Sequence, residues 1–148
     1  FLPLSRATLS FLVIQGLCKK CIQIFMKFYN PAIIPGRSRG MSIGFPTINI
    51  ESKEVEKMYQ PGVYAARVRI GETQYIAAVH IGPRPTFHDT STIEIHLIDT
   101  VITEQPTIID ELEICHSIRE VRAFANTEEL KNQISKDIAA VRDILSEL

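Results

Sequence analysis

At 148 residues, with 16 basic and 17 acidic side chains and a net charge near −1, the chain has the size of one domain with room for a buried core. Apolar content of 45% and charged content of 22% are those of a soluble globular protein, and the balanced charge gives no reason to expect bulk electrostatic binding to nucleic acid or a membrane. Eight prolines and seven glycines, spread along the chain, favour many turns over a helical bundle. The first predicted element is helical. Leu9, Leu12, Val13 and Leu17 form one stripe, and Ile22, Phe25 and Phe28 prolong it over residues 5–28. Gly16 bends or ends a first helix. Residues 9–17 are apolar enough to imitate a secretion leader. Gln15 interrupts them, however, they are too short to span a bilayer, and no small-x-small cleavage site follows, so neither a leader nor a membrane span is expected.

Cys18-Lys19-Lys20-Cys21 has the spacing of half a zinc site or of a redox pair. No second C-x-x-C and no His-x-His cluster completes a zinc site, and the pattern around the pair is helical, so a structural role is expected. The odd count of three cysteines, Cys115 being the third, fits a reducing cytoplasm better than a secreted disulfide scaffold. A domain boundary is expected near residue 30, with a helical segment or linker over residues 1–30 and a folded domain over residues 31–148.

From Ile33 to Ile118 the pattern changes to short strands. Tyr64, Ala66, Val68 and Ile70 alternate with Arg67 and Arg69, the period of a half-buried strand. Gly71 and Glu72 turn the chain, and Tyr75, Ala77, Val79 and Ile81 alternate again, which predicts a hairpin. Ile93, Ile95 and Leu97 alternate with Glu94 and His96, and Leu112 and Ile114 mark a further strand. Short strands at such close spacing predict a small antiparallel barrel. A C-terminal helix follows. Asn126 can cap it with Glu129 three residues on, and Leu130, Ile134, Ile138, Val141 and Leu145 give it an apolar stripe.

The chemistry points to residues 36–49, which read G-R-S-R-G-M-S-I-G-F-P-T-I-N. Glycines let backbone N–H groups approach an anion, and Arg37 and Arg39 add charge, so Gly36 to Gly40 can cradle phosphates. Thr47 and Asn49 stand two apart and face the same way in an extended segment. A hydroxyl and an amide oxygen beside a phosphate loop suit Mg²⁺ held on a nucleotide. The Gly-Lys-Ser/Thr of the usual P-loop is absent.

This stretch resembles the signature of riboflavin kinases, in which a glycine-rich loop leads into G-[FI]-P-T-A-N. The resemblance continues in order. Pro61-Gly62-Val63-Tyr64 is similar to the family's P-x-G-V-Y, and Ile81-Gly82-Pro83-Arg84-Pro85-Thr86-Phe87 to its I-G-x-R-P-T-F. Thr92-Ile93-Glu94-Ile95-His96-Leu97 resembles T-x-E-x-H-L, and Ile118-Arg119-Glu120-Val121-Arg122-Ala123-Phe124 resembles I-R-x-E-x-K-F. The likeness covers about residues 33–148.

The resemblance implies a mainly β fold, a six-stranded Greek-key barrel with a C-terminal helix. It implies transfer of the γ-phosphoryl of ATP to the 5′-hydroxyl of riboflavin, giving FMN, with Mg²⁺ or another divalent metal. Glu94 takes the family's catalytic position. Gly36, Arg39, Gly40, Thr47, Asn49, Leu97 and Asp99 fall on the nucleotide side, with Thr47 and Asn49 toward the metal. Arg119, Arg122 and Phe124 fall on the flavin side. His96, one pleat from Glu94, reads as a support or a surface residue. Ser38, Met41, Ile48 and His80 depart from the family pattern. The family's acidic-Leu-Tyr-Gly segment, which helps to close the nucleotide site, is replaced by Thr103-Glu104-Gln105-Pro106-Thr107. Those departures leave a second reading, a non-catalytic flavin- or nucleotide-binding module. In a third, the chain is the kinase part of a bifunctional FAD synthetase with an upstream domain. An oligonucleotide-binding barrel would interleave exposed aromatics with basic residues, a pattern this chain lacks.

Overall fold

Alternating side chains need a two-faced sheet, and the first pair of strands to supply it is the expected hairpin. In the computed structural model, which describes residues 25–36, 43–83 and 91–148, β4 (Gly62–Ile70) and β5 (Thr73–Gly82) pair antiparallel from Gly62↔Ile81 to Ile70↔Thr73. Gly71 makes the turn at φ +60, a conformation that suits glycine, and its N–H donates to Asp110 Oδ2 at 2.7 Å. Tyr64, Ala66, Val68, Ala77 and Val79 point to one face, and Ala65, Arg67, Ile76 and Ala78 to the other.

The remaining strands are β1 (Met26–Tyr29), β2 (Ala32–Ile34), β3 (Ile48–Glu51), β6 (Thr92–Leu97) and β7 (Glu111–Glu120). All pair antiparallel in the order β1-β7-β4-β5-β6-β3-β2. The meander β4-β5-β6 with β3 beside β6 is the Greek-key arrangement. The two edge strands, β1 and β2, are separated in the chain by Asn30 and Pro31 alone. Asn30 takes the left-handed φ of 48 and donates its N–H to Asp110 O at 3.3 Å. One bent segment thus lines both edges and curls the sheet into a barrel. Six strands were expected and seven are found among the described residues, because this bend divides one strand in two.

β1 also corrects the helical reading of its residues. Met26 to Phe28 were expected to continue a helix, but Phe28 enters the core from a strand paired with β7. An unpaired β7 edge would leave N–H and C=O groups without ladder partners, and this outweighs a weak spacing signal. The rest of the expected N-terminal helix, with Cys18 and Cys21, lies outside the described residues.

The barrel interior is aliphatic. Ile48, Ile50, Ile93, Ile95, Leu112 and Val79 are at most 2% exposed. Each such side chain contributes roughly 1.5–3 kcal/mol by burial. A short helix that the sequence reading did not anticipate, α1 (Lys53–Met58), adds the fully buried Val55. Ser52 caps it by accepting the Val55 N–H at 3.3 Å. Tyr59 packs edge-on against Phe28 and Tyr64, and burial pushes its hydroxyl up to about 12.

The expected C-terminal helix is α2 (Thr127–Ser146). Asn126 Oδ1 accepts the Glu129 N–H at 2.9 Å, and Glu129 reaches back to the Ala125 N–H at 3.2 Å. The reciprocal bond therefore falls one residue earlier than in the usual capping box. The helix lies on the outer face of β4, β5 and β7. Ala65 and Ala78 are cross-strand partners, and their small side chains let Val141, Ile138 and Leu145 approach the sheet. Among the described residues no helix is long and apolar enough to cross a membrane.

Candidate active site

Beside α2, the outer face of the sheet carries a polar row. Asn49 on β3 stands directly opposite Glu94 on β6, and Glu94 stands opposite His80 on β5. Their chain neighbours Ile48, Ile50, Ile93 and Ile95 fill the barrel, so the period of two turns Asn49 and Glu94 outward. Both are nonetheless largely covered, at 8% and 9% exposure. Thr47 Oγ1 donates to Glu94 Oε1 at 3.2 Å. His80 Nδ1 lies 4.0 Å from Glu94 Oε2, an ion pair when the imidazole is protonated.

A cavity of about 420 Å³ opens onto this corner. Ile33, Ile34, Pro35 and Pro106 give it apolar walls, Thr47 and Asn49 its polar side, and Gly36, Gln105 and Thr107 complete the lining. That volume falls in the range of small-molecule sites. The loop that replaces the family's acidic-Leu-Tyr-Gly segment therefore still borders the cavity. Gln105 Nε2 reaches the Thr47 carbonyl at 3.3 Å.

Gly36 closes over Asn49. A Cβ built at Gly36 would fall 2.0 Å from Asn49 Nδ2 and 2.7 Å from its Cγ. Gly36→Ala must therefore push the amide aside. If Asn49 is a metal-side ligand, the KM for MgATP should rise about 10–100-fold with flavin binding unchanged, as steady-state kinetics and flavin fluorescence would read. An unchanged KM would remove Asn49 from the nucleotide site.

The donor set suits a hard divalent cation. Among the described residues no group of three or more His, Cys, Asp or Glu side chains could hold a metal ion. Thr47 and Asn49 offer neutral oxygens, and the Thr47 proton is directed at Glu94, which leaves the hydroxyl lone pairs for a cation. Mg²⁺ keeps waters and substrate phosphates among its ligands and needs no protein cage.

The other expected site residues are placed differently. Leu97 turns into the barrel core at 5% exposure, on the face opposite Glu94. Asp99 is exposed at φ 59 and pairs with Arg142 of α2 through both carboxylate oxygens. The Arg142 guanidinium holds the Asp99 carboxyl below its ordinary range. Arg119 belongs to the transverse row of Glu94, by way of His80 and Val63, three strand spacings or roughly 14 Å away. Its guanidinium clasps Asp137 of α2 with three contacts of 2.8 to 3.1 Å. Arg122 donates to Gln133 Oε1 at 2.8 Å, and Gln133 donates to Asp137 at 2.9 Å. Both guanidiniums lie by the Phe124 ring, at 5.7 and 4.8 Å from its centre. The three residues expected on the flavin side thus form one cluster at the start of α2. Arg39 and Gly40 lie outside the described residues.

Asp137 was not singled out from sequence, although a signal existed. It stands three residues after Ile134 and four before Val141, a carboxylate on the apolar side of the helix. Cys115 is buried, and desolvation, with the Glu113 charge beside it, pushes its thiol up to about 11.

A curled antiparallel sheet with one helix on its outer face is a riboflavin kinase fold. The crystal structure of riboflavin kinase from Trypanosoma brucei superposes with a TM-score of 0.58 at 22% identity, over 81% of this chain and 80% of that one. The riboflavin kinase (flavokinase) family model matches residues 27–145, and the chain belongs to that family. It is 34% identical over 114 residues to the bifunctional riboflavin kinase/FMN adenylyltransferase of Haemophilus influenzae, covering 74% of this chain and 36% of that protein. The enzyme of the same description from Bacillus subtilis is 32% identical over 114 residues, with the same coverage. The chain thus spans about a third of the length of these relatives.

Proposed function

We propose that this chain is a riboflavin kinase, an ATP:riboflavin 5′-phosphotransferase that makes FMN and ADP. The observation that carries the reading is the corner of Thr47, Asn49 and Glu94, three oxygen-bearing side chains brought onto one face by the Asn49↔Glu94 register. Such chemistry asks for positioning, neutralisation of phosphate charge and a group that takes a proton. The nucleotide occupies the cavity beside Gly36, Thr47 and Asn49, and riboflavin lies toward Arg119, Arg122 and Phe124. Thr47 and Asn49 would hold a divalent metal, which when bound would supply positive charge against the phosphates. Glu94 accepts the proton of the riboflavin 5′-hydroxyl as that oxygen bonds to the γ-phosphorus. The bond to the bridging oxygen breaks and ADP leaves.

The Thr47–Glu94 hydrogen bond favours turnover over a binding-only module, since a module has no use for an oriented carboxylate. In a bifunctional protein the partner would be an upstream FAD synthetase domain, and the setting would be the cytoplasm. The deciding experiment incubates the chain with riboflavin, ATP and Mg²⁺ and looks for FMN by chromatography. Metal-dependent FMN is expected. Bound riboflavin without FMN would instead establish the non-catalytic module.

A further inference from the structure

The Phe45-Pro46-Thr47 turn presents Thr47 to Glu94, yet it lies outside any strand, so something else must fix it. His96 supplies two holds. Its Nδ1 lies 2.8 Å from the Pro46 carbonyl oxygen, and its ring meets Phe45 edge-on at 5.7 Å and 77°. A carbonyl oxygen only accepts, so Nδ1 must carry the hydrogen. His96 sits one pleat from Glu94 on the same outer face, opposite Ala78 of β5. The strand that carries Glu94 therefore also pins the turn that carries Thr47.

We infer that His96 is the positioning residue of the nucleotide side: through its Nδ1–H bond to Pro46 it sets where Thr47 stands against the metal and against Glu94. The inference rests on the kinase reading and adds a role for a residue outside the proton transfer. Gln105 holds the next carbonyl, that of Thr47, at 3.3 Å from an exposed loop. The His96 bond is shorter and part-buried, so it dominates.

The chemistry of the hold allows a sharp test. Asparagine places an N–H the same number of bonds from Cβ as imidazole Nδ1, whereas glutamine places it one atom farther. His96→Asn should keep the KM for MgATP near the wild-type value, although it loses the ring contact with Phe45. His96→Gln and His96→Leu should raise that KM by about 10–100-fold and leave riboflavin binding unchanged. A role in packing alone would make the asparagine variant as poor as the leucine one. A long-range ¹H–¹⁵N spectrum of the unmutated chain should show His96 in the Nδ1–H tautomer. Equal impairment of His96→Asn and His96→Leu, or the Nε2–H tautomer, overturns the inference. Should the wild type make no FMN, the kinase reading fails by itself, and calorimetric titration with MgATP makes the same comparison of variants. A chain that binds no MgATP overturns both.

Discussion

Glu94→Gln is expected to lower FMN formation by about 10²–10⁴-fold while the affinities for riboflavin and MgATP stay near those of the wild type. The substitution is isosteric, and the new amide oxygen can still accept from Thr47 as Glu94 Oε1 does now at 3.2 Å. What it removes is the basicity. The carboxylate is 9% exposed and points away from the barrel core, so an amide of the same shape can take its place without repacking the barrel. The loss should therefore appear in kcat. Single-turnover measurement of FMN at saturating MgATP separates this from slow product release. Turnover equal to that of the wild type would exclude Glu94 as the base and leave Thr47 and Asn49 as a binding corner only.

The parts of this site differ in how far the sequence reveals them. Thr47 and Asn49 are legible because a spacing of two puts both on one face of an extended segment. Glu94 faces outward for the same local reason, between Ile93 and Ile95. That the two groups meet is a matter of register between β3 and β6, which pairs residues 45 positions apart and has no local signature. The β4-β5 hairpin was readable from alternation and a glycine turn. Its outer face was less so. Alanine is a weak strand former, and only the packing of α2 gives the small side chains of Ala65 and Ala78 a reason. The six residues of α1 are too few for a helical period to show, and only the Ser52 cap marks them. At Met26 to Phe28 the apolar spacing fitted a helix, and the open edge of β7 decided for a strand. Tertiary context wins in such places because the ladder partner lies some 85 residues along the chain.

Arg119 shows the same limit from the side of function, and it carries the second large effect. The family pattern assigns it to the flavin, yet its Nε and Nη2 are engaged with Asp137, which is 4% exposed. Arg119→Met would leave that carboxylate buried with Gln133 as its remaining partner among those described. Breaking a buried pair in this way costs about 3–5 kcal/mol, and the 19% exposure of the Arg119 side chain places the expectation near the lower end. Urea unfolding should show the loss as a shift in midpoint at constant m. Asp137→Leu added to Arg119→Met should restore most of the stability, because two apolar side chains of similar volume satisfy each other where one charge cannot. That double variant separates scaffold from ligand binding. Arg119 and Arg122 both lie by the Phe124 ring, and the double variant removes one of the two guanidiniums. We expect it to fold, to bind MgATP normally and to bind riboflavin more weakly, as flavin fluorescence quenching would read. Wild-type riboflavin affinity in the refolded double variant would reduce Arg119 to a clasp for α2 and leave the flavin side to Arg122 and Phe124.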